Sequence, residues 1–292
     1  MTILVVGSTG TVGKLVVAGL AEKGADVHAL VRDPAKVNFP EGVTVVKGDL
    51  MDVESMRSAL SKVSTLFLLN AVTPDEVTQA LITLNLARQA GIERVVYLSV
   101  LHSDLYTNVP HFAGKFTVER MIEQFGIPVT VLRPAYFMNN DLSLKTPLLQ
   151  YGQYTMPIGG VGLSMVDVRD IADVAVAELL RREKANTPLP REVINVVGPD
   201  CLTGETIAAL WSETLGREIG YAGDDSKAFE QNVKAFAPAW MAYDMRLMVE
   251  RFQQDGMIAE KGDVSRLEER LGRPLRSYKA FASETAAAWQ RA

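Results

Sequence analysis

Over the first 200 residues, short runs of apolar residues alternate with longer runs in which apolar positions recur every three or four residues. The short runs are 3–6, 27–31, 43–46, 65–69, 95–99 and 129–132, with a further run at 193–197 after a proline-containing loop. They are rich in Val, Ile and Leu and apolar almost throughout, which predicts parallel strands buried on both faces. The longer runs predict helices near 11–23, 53–62, 74–90, 113–125 and 168–183. Strand and helix alternating in this way predict right-handed crossovers and an α/β fold, a Rossmann-type doubly wound parallel sheet.

Local chemistry marks several boundaries. Asp33-Pro34 and Thr73-Pro74 each read as a helix N-cap followed by a first-turn proline. Beyond about residue 198 the pattern changes. Thr203 can cap a helix over 204–215, a short strand follows near 217–221, and helices are predicted near 226–236, 239–254, 264–271 and 276–290. This tail carries Trp211, Trp240 and Trp289. The reading is a Rossmann-type domain over 1–200, with 134–165 contributing to a ligand site. A smaller, mostly helical lobe over 201–292 packs over the carboxyl edge of the sheet.

The first predicted strand runs into Gly7-Ser8-Thr9-Gly10-Thr11-Val12-Gly13. A tight strand-to-helix turn, close approach to a diphosphate and close helix packing each require a residue without Cβ. The helix N-terminus that follows offers free N–H groups and the positive end of a dipole. Gly7, Thr9, Gly10, Thr11, Val12 and Gly13 are therefore the candidate diphosphate loop of a pyridine dinucleotide. The end of the second strand selects which one. An acidic residue there would hold the ribose 2′-OH of NAD; here Arg32 follows, whose guanidinium suits a 2′-phosphate. Lys36 adds charge one turn on, and Asp33 is better explained as the cap before Pro34. NADP(H) is preferred, with NAD(H) second. Asp49 and Leu50 follow the third strand, where they would flank the adenine, and Asn70 and Ala71 follow the fourth, near the ribose and nicotinamide.

The glycine pattern, together with Val31-Arg32-Asp33-Pro34-Ala35-Lys36, Gly48-Asp49-Leu50, the 95–99 strand and Leu132-Arg133-Pro134, resembles the NmrA-like branch of the atypical short-chain dehydrogenases. The resemblance is strongest over the first 140 residues and loose after 200. It implies either a reductase of the quinone, triphenylmethane-dye or isoflavone type, or a redox-sensing regulator that binds NADP(H) and a protein partner without turnover. Ordinary short-chain dehydrogenases pair a Ser with Tyr-x-x-x-Lys. Here Ser99 is followed twelve residues on by His111-Phe112-Ala113-Gly114-Lys115, a His-x-x-x-Lys frame. Two roles stay open. His111 could stand in for tyrosine as proton donor, since imidazole titrates near neutrality. Alternatively Lys115, on a helix similar to that of the isoflavone-type branch, orients the nicotinamide ribose and relays a proton through water. Ser99, His111 and Lys115 are the catalytic candidates.

Ligands of open α/β sheets sit beyond the carboxyl ends of the strands. The loop after the fifth strand, with Leu101 and His102, and the loop after the sixth, with Tyr136, Phe137 and Met138, should line the substrate space. Tyr136 would meet both cofactor and substrate, and Trp240 would lid the site. The expected substrate is a small organic acceptor: a quinone, enone, imine or carbonyl compound.

Composition narrows the classes. A net charge of −5 argues against a nucleic-acid or anionic membrane surface. No apolar run approaches the roughly 18 residues of a membrane span, and the chain opens directly on a strand without a charged leader. Three scattered histidines predict no metal site. The single cysteine, Cys201, excludes a disulfide framework and is expected to be a small buried residue in a reducing, cytoplasmic protein. The sequence leaves a homodimer open.

Overall fold

The computed structural model describes residues 2–291. Instead of a single cut near residue 200, the chain divides into two units that exchange segments. One unit comprises the chain through Ser103, Gly114–Arg133 and Arg169–Ile194; the other comprises Asp104–Ala113, Pro134–Val168 and the chain from Asn195.

The first unit is built on a seven-stranded sheet. In chain order its elements are β1 (Thr2–Val5), α1 (Thr11–Glu22), β2 (Asp26–Val31), β3 (Thr44–Lys47), α2 (Val53–Leu60), β4 (Thr65–Leu68), α3 (Glu76–Gln89), β5 (Val95–Leu98), α4 (Pro110–Gln124, whose residues through Ala113 belong to the second unit) and β6 (Val129–Pro134). After the two-residue β7 (Gln153–Tyr154) come α5 (Val168–Lys184) and β8 (Glu192–Val196). The sheet order is β3-β2-β1-β4-β5-β6-β8. The pairs β1–β2, β2–β3, β1–β4, β4–β5 and β5–β6 are parallel. The apolar run of each central strand is explained by its position. Leu4, Leu66, Val95 and Val129 are fully buried against Met56 of α2, Leu84 of α3 and Ile122 of α4. The expectation of burial on both faces fails for β3, whose residues are mostly exposed because it is the edge strand.

The second unit contains β7, α6 (Gly204–Leu215), β9 (Gly220–Tyr221), α7 (Ser226–Lys234), α8 (Ala239–Asp255), α9 (Asp263–Leu271) and α10 (Tyr278–Arg291). Thr203 caps α6 as its sequence predicts, accepting from the Thr206 N–H, with the Thr206 hydroxyl returning the contact. Trp211 is fully buried and stacks on Trp289 with ring centroids 5.3 Å apart. Residues 138–151, for which the sequence predicts no helix or strand, form a 3₁₀ turn (Met138–Leu144) and a single π turn (Pro147–Tyr151), and β7 pairs with β9. Among the described residues no helix is long and apolar enough to cross a membrane.

Candidate functional site

In the first unit β1 has β2 on one side and β4 on the other. At such a reversal of strand order a crevice opens beyond the strand ends. The turn from β1 into α1 lies there, and its glycines are sterically required. Gly7 has φ +70, and a Cβ on it would sit 2.6 Å from Leu69 Cδ2 and 2.8 Å from the Leu69 carbonyl. A Cβ on Gly13 would collide with the Gly7 carbonyl oxygen. The Ser8 hydroxyl donates to the Leu30 carbonyl at 2.7 Å, tying the elbow to β2. Gly10 supplies no side-chain cap to α1, whose first turn holds no acidic residue. The first N–H groups and the positive helix end are thus left for an anion. Just past the end of β4, Asn70 is only 5% exposed, yet neither Oδ1 nor Nδ2 has a hydrogen-bond partner among the described residues. Buried amides are nearly always paired. A cradle that excludes side chains and an orphaned amide across the same strand ends fit a bound dinucleotide. Ala71 beside it is exposed.

At the ends of β2 and β3 the expectations divide. Arg32 is exposed and makes no ion pair among the described residues. Asp33 is the cap that its place before Pro34 implies, accepting from the Ala35 N–H. Lys36, expected to add charge for a 2′-phosphate, instead pairs with Asp33 at 3.0 Å. The Asp49 carboxylate accepts from the Met51 N–H at 2.9 Å, so part of its role is to shape its own turn; Leu50 is half-buried beside it.

Lys115 is almost buried, and Nζ lies 2.5 Å from Oε1 of Glu76, itself buried in the first turn of α3. The ammonium also approaches the Tyr97 ring, 5.9 Å from its centroid. Burial, then the charges of Glu76 and Glu119, push the Tyr97 phenol well above its ordinary range, so it keeps its proton at neutral pH. Ser99 departs from its expected catalytic role. It is 2% exposed and donates to Glu119 at 2.5 Å. Arg133 holds the same carboxylate through Nε and Nη2, and Ser103 donates to it at 3.2 Å. A hydroxyl committed to a buried, fully partnered carboxylate is a structural group.

In the second unit His111, which enters helical structure because α4 begins at Pro110 and not near 113, places Nδ1 2.9 Å from both carboxylate oxygens of Asp244 on α8. The Tyr136 ring meets Phe252 edge-on at 5.4 Å. Burial, then the charge of Asp141, raise the Tyr136 phenol above its ordinary range, which makes it a poor proton donor. Phe137 is half-buried and Trp240 is 38% exposed. Met138, expected to line the substrate space, is fully buried, and in the first unit Leu101 is 2% exposed; both are packing residues. His102, also in the first unit, is half-buried and adopts φ 60, a left-handed conformation unusual outside glycine. Cys201, expected to be buried, is exposed.

Asp141, absent from the sequence-derived candidates, lies in the 3₁₀ turn after Tyr136 and accepts from the Tyr278 hydroxyl at 2.5 Å. Trp211 donates to that hydroxyl at 3.0 Å. Burial pushes the Asp141 carboxyl up to about 7, against the opposing pull of the Tyr278 hydrogen bond. Between the ordinary carboxylate value and that one, the folded chain holds a proton the unfolded chain has released. Asp141 therefore costs progressively more stability as pH rises from about 4 to about 7. Asp141→Asn keeps an acceptor for Tyr278 and removes this slope. Its stability relative to the native protein should rise by a few kcal/mol, about 4 at most, between pH 4.5 and 7.5. Urea unfolding at the two pH values checks this; an unchanged difference would contradict the buried acid.

Comparison with known proteins places these features in a family. The model of the NmrA-like family matches residues 1–279. The chain is 30% identical to an NAD(P)H azoreductase of Xenophilus azovorans, covering 98% of this chain and 99% of the relative. It is also 30% identical to a (4-alkanoyl-5-oxo-2,5-dihydrofuran-3-yl)methyl phosphate reductase of Streptomyces griseus, again over 98% and 99%. Among solved structures, the NADPH complex of an NADPH-dependent quinone oxidoreductase from Escherichia coli has the same fold. Its TM-score is 0.84 at 22% identity, over 99% of this chain and all of that one.

Proposed function

The chain belongs to the NmrA-like family, and on that premise we propose that it is an NADPH-dependent oxidoreductase reducing a small organic acceptor, of the azo, quinone, enone, imine or carbonyl class. The observation that carries this reading is the glycine elbow ahead of the uncapped α1, with the orphaned amide of Asn70 beyond the neighbouring strand. The named reductases at 30% identity over nearly the whole chain support turnover and weigh against a silent NADP(H)-sensing regulator. A single cysteine, which leaves no disulfide framework to maintain, is compatible with a reducing, cytoplasmic compartment.

Bound NADPH would supply a hydride. The protein's residues do the rest. Gly7 and Gly13 let the elbow close tightly on itself, and the N–H groups at the start of α1 bind the diphosphate. Arg32, which makes no ion pair among the described residues, takes the 2′-phosphate. Asn70 satisfies its amide on the ribose or nicotinamide. Lys115 has three N–H donors, of which one goes to Glu76; the other two suit the ribose diol. Glu76 thereby sets the direction of the ammonium.

Arg32→Ala tests the cofactor assignment. A charge-assisted pair to phosphate is worth about 1.5–3 kcal/mol. NADPH affinity should then fall roughly 10- to 100-fold while NADH affinity stays within about threefold. Equal losses for both nucleotides would refute the 2′-phosphate role. Steady NADPH oxidation with an azo or quinone acceptor supports the enzyme; inertness to a broad acceptor panel, despite tight NADPH binding, would return the regulator reading.

A further inference from the structure

We propose that Asp244 is the positioning residue for proton delivery by His111, the two forming a dyad that serves the reductase reaction; this rests on the reading above. Nδ1 of His111 is equidistant, at 2.9 Å, from the two oxygens of Asp244. The carboxylate is 1% exposed, and His111 is its sole side-chain partner among the described residues. An ionised carboxylate can only accept. A buried one with a single partner therefore requires a proton on Nδ1, whether the ring is neutral or charged. The ring is also held by the edge of Phe112, with centroids 4.7 Å apart. Nε2 is then the nitrogen that gains and loses a proton.

Asp244 is rigidly placed. On α8 it begins a stripe at four-residue spacing, Asp244, Met248 and Phe252, all buried. Phe252 packs against Tyr106 at 6.2 Å and Tyr136 at 5.4 Å. Tyr106 in turn donates to the Gly256 carbonyl at the end of the helix. Holding an imidazole by its Nδ1–H so that Nε2 does the chemistry is a general way to fix tautomer and direction.

In the reaction, one atom of the acceptor's double bond gains a hydride, with its electron pair, from NADPH. The other atom takes the proton from Nε2 of the doubly protonated ring. The products are NADP⁺, the acceptor reduced by two electrons and two hydrogens, and His111 as the neutral Nδ1–H tautomer. Solvent returns the proton to Nε2. One turn further along α4 stands Lys115.

Two readouts test the dyad. The chain has three histidines, so ¹⁵N-ring spectra of the cofactor-free protein are simple, and His111→Phe assigns the His111 signals. The native ring should show a protonated Nδ1 and a bare Nε2 once neutral; Asp244→Asn should lose that pattern. In turnover with NADPH and a neutral quinone, Asp244→Asn and His111→Phe should each lower kcat about 100-fold. NADPH affinity should stay within about twofold of native, and the double variant should lose little more than either single one. A native Nε2–H tautomer, or an Asp244→Asn protein with full kcat, overturns the dyad alone. A native protein that neither binds nor oxidises NADPH overturns the reductase reading and the dyad with it.

Discussion

Lys115→Met should abolish NADPH-dependent turnover and destabilise the protein by about 3–5 kcal/mol. The two effects have different origins. Glu76 is buried, and Lys115 Nζ at 2.5 Å is its ion-pair partner. Removing the ammonium leaves an uncompensated carboxylate in a site screened from water, the costly way to break a buried pair. The melting temperature should fall by about 10 °C. In the proposed site the nicotinamide ribose would lose its anchor, and a small misplacement of reacting atoms is expensive, so turnover should fall at least about 100-fold. Adding Glu76→Leu separates the two: replacing both members of a buried pair by apolar residues is often close to neutral. The double variant should recover most of the lost stability and none of the lost activity. Recovery of activity along with stability would mean that Lys115 only holds α3 to α4.

Gly13→Ala should remove NADPH binding almost entirely, a loss greater than 100-fold. The added Cβ would collide with the Gly7 carbonyl, which is backbone and cannot swing aside. The elbow must open, and the N–H groups at the head of α1 move with it. Overpacking of this kind also costs about 1–3 kcal/mol of stability. Nucleotide titration and thermal unfolding of the variant check both effects. Native-like NADPH affinity in Gly13→Ala would show that the loop does not hold the diphosphate.

Most of the sheet and of the cofactor loop was legible because both are local. A strand buried between two layers of helices is apolar throughout, and Gly7, Gly10 and Gly13 are read from seven consecutive residues. The legibility stops where partners are distant. Glu76 meets Lys115 across 39 residues and Asp244 meets His111 across 133. Each looks like a surface acid on an amphipathic helix, the first-turn position of Glu76 being already explained by the helix dipole. A signal for Asp244 did exist: its four-residue spacing from Met248 and Phe252 puts a carboxylate in line with an apolar stripe. Ser99 misled in the opposite sense, since it matched a familiar catalytic place while its hydroxyl is committed to Glu119, a carboxylate that Arg133 also holds. The start of α4 was missed because Val109-Pro110-His111 reads as a loop, although proline is at home in the first turn of a helix. The 138–151 segment has neither helical nor strand periodicity, so only packing could define its 3₁₀ and π turns.

The proposed function rests on a side-chain-free elbow after β1 that binds the diphosphate of a phosphorylated pyridine dinucleotide. Fluorescence titration of the native protein with NADPH, repeated with NADH, measures it directly. Binding should saturate and be tighter for NADPH. Absence of binding to either nucleotide would contradict it at its root.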